Sequence, residues 1–313
     1  MRFSLLVPSA LLVLVGAWAC VSDDGANQGR DAGLDGATSS GSTDGAAQGD
    51  TAPSSDAPSD GPIDLKPVAG DVVNLYENTL KVSSDNVTSW DDIEGRLKFS
   101  PGVGPAPKAF TLGGTARTCA KFGVASATLI AQAPSVSFTG DFSVTLKLVR
   151  GTYFDNRDDG AVPFAKALID AKDTYNYTGF ALLSDYQLQD GSTRSRQFAG
   201  RFDFVRGVQA VDLVEPITRP SEEDHVHVVT FAKRGSGAII LVRDVASPDI
   251  NVTTATSGFA LVTAPSDAPM TIGSARTNEN DSTKFDGLVC AVVVHVGAES
   301  TDDLKTRIGK LAQ

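Results

Sequence analysis

Apolar side chains cluster first in LLVPSALLVLV, from Leu5 to Val15, then almost vanish until about residue 67, and then return as short runs to the end of the chain. The first run is broken by Pro8 and is too short to span a bilayer, which takes about 20 apolar residues. With Arg2 ahead of it and small residues behind, it fits an export signal. Residues 21 to about 67 cannot bury enough apolar surface to offset their ordering entropy, so a disordered tether is expected. From Val68 onward, runs rich in Val, Ile, Phe and Thr alternate with Gly, Pro, Asn and Asp clusters, the pattern of strands and turns. Strands are expected within 136–149, 179–184, 196–205, 225–234, 238–245, 270–275 and 288–296. HVHVVTFAKR and AIILVRDV flank a GSG turn and read as a hairpin. Helical periodicity is confined to the end. Ser300 or Thr301 can cap a helix there, Asp302 and Asp303 suit its first turn, and Leu304, Ile308 and Leu311 share a face. An all-β fold of two packed antiparallel sheets with a short C-terminal helix follows for residues 68–313.

Cys20 stands between the apolar run and the tether. Ala17-Trp18-Ala19 ahead of it forms an A-x-A exit site. The same residues resemble the lipobox of bacterial lipoproteins, with Ala17 where that motif usually has leucine. That resemblance implies a signal peptide over 1–19, a lipid on Cys20, and a place in the bacterial cell envelope, held to a membrane, by expectation the outer one. The other reading is a secreted protein whose Cys20 is incidental. The tether, 20–67, carries Asp23, Asp24, Asp31, Asp35, Asp44, Asp50, Asp56 and Asp60, and Asp64 near its end, opposed only by Arg30 and Lys66. A flexible coil of about 45 residues spans roughly 35–40 Å root-mean-square, more when its charges repel. Such a leash suits a domain held off a lipid surface.

Charge narrows the partners. A formal net charge of −11 argues against nucleic acid, which favours a basic face. Of three cysteines, a lipidated Cys20 leaves Cys119 and Cys290. In an oxidising compartment these form a disulfide, or else they are two buried thiols on neighbouring strands.

The segment DVVNLYENTLKVSSDNVTSWDDIEG resembles the opening of laminin G-like, concanavalin A-like lectin/glucanase domains of bacterial surface proteins. Leu75-Tyr76 supplies a Leu-aromatic pair, and Val87, Trp90, Asp92 and Gly95 a V-x-x-W-x-D-x-x-G signature. Pro107, Ala120-Lys121-Phe122-Gly123, the 225–231 strand, Met270–Gly273 and Phe285-Asp286-Gly287 follow in the order of that family. The resemblance implies a jelly-roll sandwich and binding of a glycan or extracellular polymer. One departure is plain: Val289, Cys290 and Ala291 stand where the last strand usually carries an acidic residue. Taken on their own chemistry, Trp90 reads as a core anchor, and Asp92 and Gly95 as a turn.

Candidate chemistry is sparse. Glycoside hydrolysis wants two carboxylates on one face, about 5 Å apart for retention. Asp91-Asp92-Ile93-Glu94 reads as a turn, Asp212 and Glu215 fall on opposite strand faces, and Glu222-Glu223-Asp224 follows Pro220 in a loop. His225 and His227 are two apart on a strand with no third ligand at a metal-like spacing, and read as a partly exposed strand pair. Calcium favours oxygen ligands, and Asp155, Asn156, Asp158 and Asp159 form the densest set; Asn278-Glu279-Asn280-Asp281 is a second candidate. Tyr153, Tyr175, Tyr177 and Tyr186 lie around an apparent insertion over 151–186, and the first three are candidates for stacking on sugar rings. The expected function is non-catalytic glycan binding. A polysaccharide hydrolase or lyase and an adhesion protein without a small ligand are the alternatives.

Overall fold

The computed structural model describes residues 66–313, apart from 103, 113–116, 124–127, 132–135, 137, 139, 151–160, 170–176, 191–192, 203–212, 217–224, 256–267 and 275–283. The export signal, Cys20 and nearly all of the tether lie outside the described residues.

The strands run β1 (Asp71–Leu75), β2 (Leu80–Ser83), β3 (Asn86–Asp91), β4 (Lys98–Pro101), β5 (Lys108–Thr111), β6 (Thr118–Phe122), β7 (Leu129–Ala131), β8 (Phe142–Arg150) and β9 (Ala161–Ile169). They continue with β10 (Tyr177–Asp190), β11 (Thr193–Phe202), β12 (Leu213–Pro216), β13 (Val226–Arg234), β14 (Gly237–Asp244), β15 (Asn251–Ala255), β16 (Met270–Ile272) and β17 (Gly287–Val296). A helix, α1 (Thr301–Leu311), closes the chain.

The pairings are antiparallel and make two layers. The outer layer runs β15-β14-β13-β8-β17. The far edge of β17 is divided, with Gly287–Val289 against β6 and Val292–His295 against β1. The inner layer runs β12-β11-β10-β9-β16-β7-β4-β3-β2. β5 joins the layers at one corner, pairing with β6 and, through Lys108, with Asn86 of β3. The fold is the all-β sandwich that the alternating pattern predicts.

Period-two alternation fills the space between the layers. On β8, Phe142, Val144, Leu146 and Leu148 enter the core, where Val229, Phe231, Trp90, Phe99, Phe164 and Phe180 also lie. Phe180 packs on Phe231 with ring centroids 5.0 Å apart and on Phe142 at 5.3 Å. Gly200 lies on β11 because any larger residue collides: an added Cβ would lie 2.0 Å from the Phe231 ring.

The outer layer is covered on its other side too. Leu304, Ile308 and Leu311 of α1 pack on Val228, Ile239, Leu241, Ala291 and Val293. Each such side chain stabilises by about 1.5–3 kcal/mol on burial. Ser300 caps the helix: its Oγ accepts from the Asp303 backbone N–H at 3.1 Å, and the Asp303 carboxylate accepts from the Ser300 N–H at 3.1 Å. Cys119 of β6 and Cys290 of β17 form a disulfide, with a sequence separation of 171, against Val149 and Leu288. Cys290 occupies an irregularity where the β17–β8 register shifts between Val289 and Ala291.

The stretch 151–186 is not simply an insertion. β9 and most of β10 fall within it and stand in the middle of the inner layer, between β16 and β11. Pro163 sits just beyond the β9–β16 ladder, which ends at Phe164, and at a shift in the β9–β10 register; it needs no N–H there, and its carbonyl accepts from the Gly273 N–H at 3.0 Å.

Candidate functional site

The side of the inner layer away from the core is built by the same alternation that fills the core. Trp90 and Phe99 oppose each other and point inward, so their neighbours Asp91 and Lys98, also opposed, point outward. From Ser100, a line of opposed residues crosses the layer: Ile130, Thr271, Ala165, Ala181 and the Arg201 position on β11. Five strand spacings of about 4.8 Å make this line roughly 24 Å long. Its middle is covered, since Thr271, Ala165 and Ala181 are buried.

The β2-β3-β4-β7 half of the face is open. Lys81 and Lys98 are exposed, and Asp91, Ser100 and Ile130 are half-buried. Lys81 pairs with the Asp91 carboxylate. Burial would raise the Asp91 pKa, but hydrogen bonding by Lys81 and Ser89, with the charges of Lys81 and Lys98, outweighs it and lowers it. Asp91 therefore stays ionised between two ammonium groups.

The W-x-D-x-x-G signature is structural. Trp90 is fully buried, and its Nε1–H donates to the Tyr76 carbonyl at 2.9 Å. Buried Asp92 accepts from the Asn74 N–H at 2.7 Å, the Glu94 N–H at 3.2 Å and Arg96 Nε at 3.3 Å. Gly95 adopts φ +69° to turn the chain between β3 and β4.

A second polar group ties α1 to the outer layer. Asp71 Oδ1 lies 3.0 Å from His295 Nδ1 and 3.0 Å from Arg307 Nη2. Arg307 also binds Glu299, with Nη2 to Oε1 at 2.6 Å. Burial would raise the Asp71 pKa, but hydrogen bonds from His295 and the Val68 N–H, with the Arg307 charge, lower it. Asp71, His295 and Ser143 are the residue types of a hydrolytic triad, but the wiring is different. Ser143 hydrogen-bonds Glu299 and Arg307, the latter at 3.2 Å, and not the imidazole. The group is a clamp.

The histidine pair is split by environment. His225 Nδ1 is 2.8 Å from Asp244 Oδ2 and half-exposed, as a strand-end residue should be. His227 is buried, its ring 5.5 Å from that of Phe198 and its Nδ1 3.0 Å from the His225 carbonyl oxygen. Burial, then the Arg150 charge, lowers its pKa to about 4. No group of three or more His, Cys, Asp or Glu suited to a metal occurs among the described residues.

No family model matches the chain, and no curated protein matches it in sequence. It is similar in structure to a mutant GH54 α-L-arabinofuranosidase soaked with 4-nitrophenyl α-L-arabinofuranoside, at 12% identity, over 72% of this chain and 50% of that one, with TM-score 0.52. It is similar also to an arabinofuranosidase complexed with arabinofuranosyl-α-1,2-xylobiose, at 12% identity over the same shares, with TM-score 0.50. The chain thus spans about half the length of these solved proteins. The likeness is one of fold.

Of the sites expected from sequence, Asp155, Asn156, Asp158, Asp159, Tyr153, Tyr175 and the Asn278–Asp281 segment lie outside the described residues. Tyr177 opens β10, at a register position on the same face as Gly179 and Ala181. Lys81, Lys98 and Ser100 belong to no motif and were not foreseen. Their only sequence signal is the polar-apolar alternation around Trp90 and Phe99. Lys147 was also missed. It is buried on the outer layer, its Nζ has no hydrogen-bond partner among the described residues, and burial, then Arg117, lowers its pKa to about 8.

Proposed function

We propose that this protein is a bacterial envelope lipoprotein, lipidated on Cys20, whose laminin G-like sandwich binds a glycan or extracellular polymer without cleaving it. The open β2-β3-β4-β7 end of the inner layer carries this reading: exposed Lys81 and Lys98 stand beside half-buried Asp91, Ser100 and Ile130. Such a face suits a chain of sugar hydroxyls better than a compact apolar ligand. The fold shared with arabinofuranosidases supports it through architecture only, since one fold hosts many functions. Binding is favoured over hydrolysis because Asp91 is the single carboxylate among the described side chains on this face, and hydrolysis calls for two. The tether and lipid would hold the domain off the outer membrane, and the Asp155–Asp159 loop is its candidate calcium site.

The test uses residues 21–313 on an array of plant and bacterial glycans, with and without calcium. Saturable binding with no release of reducing ends is the expected result. Depolymerisation of a bound glycan would move the protein to the hydrolases or lyases, and a blank array would favour an adhesion role without a glycan. Mass spectrometry of the native N-terminus checks the anchor: a diacylglyceryl adduct on Cys20 is expected, and an unmodified terminus would remove the membrane from the picture.

A further inference from the structure

We infer that the open end of the inner layer selects an acidic polysaccharide, whose carboxylate, sulfate or phosphate groups meet Lys81 and Lys98. This rests on the glycan-binding reading above and names its ligand class.

Charge carries the argument. The chain as a whole has a net charge of −11, yet Lys81, Asp91 and Lys98 together carry one net positive charge on the open face. Both ammonium groups are exposed and project from neighbouring parts of one layer. Asp91 pairs directly with Lys81 and lies across the β3–β4 ladder from Lys98, so one carboxylate faces two cations. No other described carboxylate on this face competes with an incoming anion. Ser100 follows two residues after Lys98 on the same face, and Ile130 opposes it, placing a hydroxyl and an apolar side chain where a sugar ring next to the acidic group would lie. In an overall acidic protein, this placement gives both attraction at one end and rejection of polyanions elsewhere, which is orientation as well as affinity. Nucleic acid offers the same charge sign, but its dense phosphates would meet the repulsion of the whole molecule.

The experiment measures binding of residues 21–313 to polygalacturonate, alginate and a sulfated galactan, beside neutral arabinan and xylan and a single-stranded oligonucleotide, at two salt concentrations. Lys98→Gln and the double variant Lys81→Gln/Lys98→Gln are run in parallel. Because both lysines are exposed, circular dichroism and Tm of the variants should match the parent. An acidic polymer should bind best and weaken with salt. Lys98→Gln should cost about three- to fivefold and the double variant about tenfold or more. Binding to neutral glycans that ignores salt and both substitutions would overturn this inference and leave the glycan reading standing. Equal or tighter binding of the oligonucleotide would overturn the inference as well. Failure to bind any of the polysaccharides would overturn both readings.

Discussion

The two layers of the sandwich are finished differently. The outer layer is closed on both faces: aromatic core on one side, and α1, the Asp71–His295–Arg307–Glu299 clamp and the Cys119–Cys290 disulfide on the other. The inner layer shares that core, but at its β2-β3-β4-β7 end it presents lysine, aspartate and serine to solvent. A layer sealed on both sides can hold a second rigid enough to keep an open face in shape. Burial is thus completed on both faces of one layer and left incomplete on the other.

That contrast can be broken from the outer side. Replacing Cys119 and Cys290 by alanine removes a cross-link over a separation of 171 residues. The chain-entropy model puts the loss at about 5 kcal/mol, read as a lowered midpoint in guanidinium. A midpoint unchanged by the substitution would mean that α1 and the core close this layer unaided. Arg307→Met comes next. It leaves Asp71 and Glu299 buried without their guanidinium, at a cost of about 3–5 kcal/mol in the same melts. A loss below about 1 kcal/mol would show the clamp to be ornamental to the packing of Leu304, Ile308 and Leu311.

The third test is a pH profile. Folded His227 titrates at about 4, well below the ordinary value near 6.5. Between these values the unfolded chain binds a proton that the folded one does not, so stability falls as pH drops from about 6.5 toward 4. The loss is of order 3 kcal/mol and should flatten in His227→Asn, measured by thermal melts across that range.

What the sequence made legible follows the same division. β17 is buried along nearly its whole length and reads as an almost unbroken apolar run, and β8 shows itself by strict alternation of Phe142, Val144, Leu146 and Leu148 with polar residues and Val149. The β13–β14 hairpin announced itself through its glycine turn, and α1 through Ser300 and its Leu304-Ile308-Leu311 stripe. The short strands β2, β4, β5 and β7 have three or four residues each, too few for a periodic signal. β9 was hidden by Pro163 and by Lys166, a fully buried lysine whose Nζ donates to the Ala268 carbonyl at 2.7 Å. The candidate site was illegible for a related reason. Lys81, Asp91, Lys98, Ser100 and Ile130 come together only through cross-strand register between segments that carry no motif. By contrast Trp90, Asp92 and Gly95, which stand out in the sequence, serve a buried hydrogen bond and a turn.

The bond between Cys119 and Cys290 also turns most of the body into a covalent ring. A protease that nicks any one loop between those residues opens the ring without releasing a piece. The cut protein would run as one species until a reductant is added. A single cleavage there would therefore not separate the two halves of the body.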